Sequence, residues 1–156
     1  MIRTVVTATP EQTEALGRAI GAALRPGDVL ALDGDLGAGK TVLVRGLAAG
    51  AGADAAAVRS PTFVLHHVHR GGRVVLHHLD FYRLGPGADL DALDLDGLAD
   101  EGAVAVEWAE YAPSLERFQP MHVRIEVLDR SRRRIEIGGI PLHLAAAFDS
   151  VPGRAP

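Results

Sequence analysis

The chain has a single lysine, Lys40, in the run Gly34-Asp35-Leu36-Gly37-Ala38-Gly39-Lys40-Thr41; its other non-histidine basic residues are all arginine. A composition that has otherwise exchanged lysine for arginine keeps it where a compact ammonium on a flexible stem is hardest to replace. Gly, four residues, then Gly-Lys-Thr is the pattern of a loop whose successive backbone N–H groups converge on phosphate oxygens at a helix start. In such a loop the lysine reaches the β- and γ-phosphates, and the next hydroxyl offers magnesium a hard oxygen. The flanks agree with this reading. Val29-Leu30-Ala31-Leu32 has the length and apolarity of a buried parallel strand, and Thr41 to Ala49 reads as a helix opening at the loop.

A chain of 156 residues suffices for one α/β domain with a single sizeable core. With 47% hydrophobic and only 4% aromatic residues, that core must be built from Val, Leu, Ile and Ala. A net charge of −4 argues against a general binder of nucleic acid or anionic membranes, while leaving room for a local basic patch. The absence of cysteine excludes disulfides, thiol chemistry and Cys-based zinc sites. The N-terminus has no charged-then-apolar signal and no apolar run approaches 18 residues, so a cytoplasmic protein without membrane association is expected.

Along the chain, residues 2–7 read as a strand. Thr9-Pro10 then opens a helix that places Ala15, Ala19, Ala22 and Ala23 on one side and ends at Arg25-Pro26-Gly27. Residues 62–69 and 73–78 form two strands joined by Gly71-Gly72. Residues 86–101 suggest short helices, and 103–106 another buried strand. The alternating segments 123–127 and 134–137 predict an antiparallel late hairpin with one wet face. The expected fold is therefore α/β, a phosphate-loop (P-loop) NTPase-like three-layer arrangement with a mixed, largely parallel sheet. Residues 1–140 form one domain, and 141–156 a partly frayed tail.

Phosphoryl chemistry in such a fold needs an acid at the end of a hydrophobic strand. Asp80 and Glu107 both qualify, and adjacent parallel strands end on the same side of the sheet. Both are therefore candidate magnesium-side and catalytic acids beside Lys40 and Thr41. Ser60 and Thr62, in Ser60-Pro61-Thr62-Phe63, suit a switch-like loop whose hydroxyl senses the γ-phosphate or the metal. Trp108, the only tryptophan, is either a buried plug or a group set against the site or a partner.

Taken in order, the phosphate loop, Ser60-Pro61-Thr62-Phe63, His78-Leu79-Asp80-Phe81-Tyr82-Arg83-Leu84 and Val106-Glu107-Trp108-Ala109-Glu110 resemble the TsaE family over about residues 5–140. These are small bacterial ATPases required for threonylcarbamoyladenosine formation in tRNA. The resemblance implies ATP and Mg2+ binding, weak hydrolysis, and docking onto TsaD and TsaB, the proteins that act on adenosine 37 of tRNA. It carries Lys40, Thr41, Asp80, Glu107 and Thr62 over to matching roles, and it suggests that a late-hairpin arginine, Arg133, approaches the nucleotide. Phe63 and Val42 stand where many relatives have Tyr and Thr, and neither change removes a required group.

Other signals weigh less. His66, His67, His69, His77 and His78 crowd the first hairpin, but strand neighbours face opposite sides, so exposed or hydrogen-bonded histidines are expected rather than a metal centre. Asp89, Asp91, Asp94 and Asp96 fail calcium-loop spacing because Leu93 occupies the fifth position. The arginines at 130–134 read as a charged hairpin turn. No asparagine and no second lysine are present, which excludes a GTPase with the usual Asn-Lys-x-Asp reader. A small-molecule kinase would share the loop, but 156 residues leave little room for an acceptor-binding insertion.

Overall fold

Seven strands form one sheet in the order β1-β7-β6-β2-β5-β4-β3 in the computed structural model, which describes residues 2–59, 65–87, 91–149 and 151. The strands are β1 (Arg3–Thr7), β2 (Val29–Gly34), β3 (His66–His69), β4 (Leu76–Asp80), β5 (Ala103–Glu107), β6 (Met121–Val127) and β7 (Arg133–Gly138). The helices are α1 (Pro10–Gly21), α2 (Lys40–Gly50) and α3 (Leu95–Glu101). The central strands β6, β2, β5 and β4 run parallel, while β1, β7 and β3 add antiparallel pairs at the two sides. This is the expected α/β class, with a parallel core and an antiparallel late hairpin.

Period-two alternation within the buried strands splits the core in two. Leu30, Leu32, Leu76, Ala103, Ala105 and Val123 pack with Leu16 and Ile20 of α1 and Leu43 and Leu47 of α2. Val29, Ala31, Leu79, Val104 and Val106 pack on the other face with Leu95 and Ala99 of α3 and with Leu115. β2 and β5 are buried on both faces, which is why they read as continuous apolar runs. In β6, by contrast, Met121, Val123 and Ile125 are buried while His122, Arg124 and Glu126 are exposed, as the alternation predicts.

Three local expectations are corrected. The buried face of α1 is Thr13, Leu16, Gly17, Ile20 and Gly21, not the alanine face, and Ala22 is exposed. Leu16 and Ile20 bring more apolar area than alanine, and the two glycines admit α2 to backbone contact. A Cβ added at Gly17 would lie 2.3 Å from Leu43 O, and one at Gly46 would lie 2.1 Å from Glu14 O. Second, β4 begins at Leu76 rather than Arg73. Arg73 instead donates to the carbonyls of Gly21 (3.0 Å), Ala22 (3.0 Å) and Leu24 (2.7 Å), satisfying acceptors that the C-terminal end of α1 leaves open. Third, the regular ladder of β3 starts at His66 because Leu65 has φ 68°, and residues 62–64 of the predicted strand lie outside the described residues.

Beyond residue 140 the chain makes a further 3-10 segment, Leu142–Phe148, whose Leu144 and Phe148 enter the α1/α2 core with Val151. Residues 152–156 lie outside the described residues. Among the described residues no helix is long and apolar enough to cross a membrane.

Candidate nucleotide site

The turn between β2 and α2 is made by glycines because its backbone leaves the region that other residues favour. Gly34, Gly37 and Gly39 have φ of 157°, 79° and 115°. No atom lies within 4 Å of a Cβ built on Gly37 or Gly39, so the loop borders open space on both sides. Gly39 caps α2, whose first amides have no intrahelical acceptor and carry the positive end of the helix dipole.

One side of this loop faces a cavity of about 250 Å³ lined by Leu36, Gly37, Gly39, Lys40, Thr41, Val42, Asp80, Glu107 and Trp108. Sequence positions more than sixty apart meet here because β4 and β5 are parallel and in register. Asp80 is the partner of Glu107, and Glu107 is in turn the partner of Leu32 on β2. Both acids are almost fully buried, at 2% and 3% exposure. Asp80 Oδ1 accepts the Tyr82 amide at 2.8 Å. Glu107 Oε2 is paired at 2.7 Å with Nε2 of the buried His78. Period-two alternation places His78 and Asp80 on one face of β4, and the pairing of β4 with β5 brings His78 to Glu107.

Lys40 is 6% exposed; its Nζ donates to Gly34 O at 2.6 Å and stands 4.5 Å from the centre of the Trp108 ring. Carbonyl and aromatic face together give a buried ammonium an acceptor and a favourable quadrupole. Trp108 holds φ 57°, is half-buried, stacks on Tyr111 at 5.6 Å and tilts against Tyr82 at 4.9 Å. The sequence left its position open; the structure sets it against the site.

On the loop's other side, Gly37, Ala38 and Gly39 share a second cavity of about 190 Å³ with Pro10, Thr13, Arg130, Ser131 and Arg133. Arg133 Nε donates to Ala38 O at 2.9 Å, which ties the late hairpin to the loop. Arg132 and Arg134 are instead engaged by Asp129 and Glu126. Asp35 and Leu36 are exposed at the loop's crest. Ser60 and Thr62 lie outside the described residues.

The histidine hairpin sits directly behind these acids. Burial, followed by the neighbouring His78 and His67, lowers the pKa of His69 to about 4. Those of His66 and His77 are also lowered, chiefly by burial. His69 is 7% exposed, so the folded protein keeps it neutral, whereas the unfolded chain protonates it near 6.5. Below pH 6.5 the unfolded state then binds more protons, and stability falls as pH drops from 6.5 toward 4. Chemical denaturation with a chelator present is expected to show a loss of roughly 2–4 kcal/mol across that window. His69→Leu should remove most of the slope.

A family profile described as threonylcarbamoyl adenosine biosynthesis protein TsaE matches residues 7–135. The tRNA threonylcarbamoyladenosine biosynthesis protein TsaE of Mycobacterium leprae is 39% identical over 140 residues, covering 84% of this chain and 86% of that protein. The protein of the same description from Streptomyces coelicolor is 48% identical over 98 residues, 61% of this chain and 66% of its own length. The crystal structure of Bacillus subtilis YdiB superposes with a TM-score of 0.69 at 31% identity, covering 88% of this chain and 84% of that one.

Proposed function

Because the chain belongs to the TsaE family of tRNA threonylcarbamoyladenosine biosynthesis, we propose that it is a Mg-dependent ATPase that drives the modification cycle in the cytoplasm with TsaD and TsaB homologues. tRNA is reached through those partners. The observation that carries this reading is the convergence of Lys40, Thr41, Asp80 and Glu107 on one cavity at the carboxyl ends of parallel strands, where ligands of open α/β sheets bind.

The residues suit the ligands. The loop amides and the N-terminal end of α2 supply the field for a polyphosphate, and Lys40 exchanges the Gly34 carbonyl for phosphate oxygen. Thr41, Asp80 and Glu107 form the all-oxygen set that magnesium prefers, directly or through waters. When bound, the metal neutralises charge that develops on the transferred phosphoryl group. Catalysis is otherwise electrostatic, with water as the acceptor and Glu107 or Asp80 placed to receive its proton. Arg133 fixes the loop by its hold on Ala38 and rims the second cavity. Ser60 and Thr62 are assigned to the segment that senses the γ-phosphate, and Trp108 to a cover over Lys40.

Asp80→Asn and Glu107→Gln test this reading with little structural disturbance. The carboxamide of the first substitution keeps an oxygen for the Tyr82 amide, and that of the second keeps one for His78. Each variant is expected to lower phosphate release more than tenfold while leaving the melting temperature of the ligand-free protein nearly unchanged. Full hydrolysis in either variant would remove that acid from the site.

A further inference from the structure

The strand register does to the histidines what alternation within one strand cannot. His67 and His69 share a face of β3, and His67 is the cross-strand partner of His78 on β4. One ring nitrogen from each of the three lies within 4.8 Å of the others. Two of these rings are buried, and among the described residues His69 Nε2 and His78 Nδ1 have no hydrogen-bond partner. A buried ring nitrogen without a partner forfeits the hydrogen bond it made in water. Such nitrogens in two of three imidazoles that gather within 4.8 Å are what a bound cation would satisfy.

We propose that His67, His69 and His78 form a binding site for a divalent transition metal of the zinc class, separate from the all-oxygen magnesium position at Thr41 and Asp80. Three neutral imidazoles are a nitrogen donor set that zinc, cobalt and nickel favour and magnesium does not. Tetrahedral zinc with bonds of about 2.0–2.1 Å holds its ligand atoms roughly 3.3 Å apart. The remaining closure is within reach of side-chain rotation by the half-buried His67. That same partial exposure leaves the fourth position open to water. Glu107 supplies the outer contact expected of such a centre. A metal on Nδ1 of His78 fixes Nε2–H as the donor to Glu107 Oε2, the carboxylate–histidine–metal arrangement that orients ligands and raises their basicity. The site thereby touches the nucleotide cavity through one shared carboxylate.

Titration of the tag-free, nucleotide-free full chain with Co2+ in excess Mg2+, followed by visible absorption, tests this. One saturable equivalent is expected, displaced by Zn2+. Binding should be unchanged in Asp80→Asn and weakened at least about 100-fold in His67→Ala and in His69→Leu, since even outer contacts are worth 10–100-fold. His67→Ala alters a half-buried residue and decides the matter alone if His69→Leu does not fold. The proposal is overturned by the absence of saturable binding, by full binding in His67→Ala, or by loss of the metal in Asp80→Asn, which would place the ion among the oxygens. Failure of the histidine site leaves the ATPase reading intact, and that reading fails instead on phosphate release in Asp80→Asn and Glu107→Gln, so the two are told apart.

Discussion

Lys40→Ala is expected to abolish measurable Mg-ATP binding by calorimetry. The ammonium is almost wholly buried, held between the Gly34 carbonyl and the Trp108 ring, and the chain has no second lysine to take its place. Arg45, one turn further along α2, does not line the cavity. Removing a buried charged contact to phosphate costs about 2–5 kcal/mol, or roughly 30-fold to several thousand-fold in affinity. Trp108 gives a second readout without labelling, because its ring borders both Lys40 and the cavity. Mg-ATP should change its emission saturably in the native protein and not at all in Lys40→Ala. Equal nucleotide affinity in the two proteins would overturn the assignment of this loop.

An equally large effect, on stability rather than binding, is expected from a single methyl group between α1 and α2. These helices approach so closely that Cβ atoms at Gly17, Gly21, Gly46 and Gly50 would lie 2.1–2.3 Å from carbonyl oxygens of the facing helix. The obstacle is backbone, which cannot rotate aside. Gly46→Ala should therefore separate the helices and cost about 2–4 kcal/mol, lowering the melting temperature by roughly 5–15 °C for a chain of this size. Gly138→Ala is the control: its Cβ would meet only Ile2 Cγ1, at 3.7 Å, and it should melt within a degree or two of the parent. Because α2 also carries Lys40, Gly46→Ala should weaken nucleotide binding as well. An unchanged melting temperature would mean that the helices do not meet at these glycines.

The parts of this molecule legible in the sequence are those whose physical cause is local. The glycines of the phosphate loop, the Thr9-Pro10 helix start and the alternation of β6 each depend on a few consecutive residues, and each is found where expected. Asp80 and Glu107 could be nominated because a strand-end acid is a local pattern; only the β4–β5 register makes them neighbours. What escaped the sequence depends on contacts across the sheet or between helices. The glycine face of α1 is recognised only once α2 lies against it. Arg73 looks like a strand residue until the open carbonyls of α1 arrive beside it. The three histidines diverge along the sequence and converge only when β3 and β4 pair.

The pairing of β1 has a consequence for how the molecule comes into being. β1 touches the sheet only through β7, with Arg3 opposite Ile137 and Thr7 opposite Arg133, and β7 in turn is joined only to β6. A growing chain can bring α1 against α2 early, yet β1, which precedes them, has no ladder to join until the late hairpin has been made. At about 5–20 residues per second, that wait is on the order of ten seconds. Through this interval Val5 and Val6 present an unsatisfied, partly apolar strand, the kind of surface that recruits other chains. A strand made early in this domain thus waits on a hairpin made late, and the β1 edge of the sheet closes only after most of the domain has been translated.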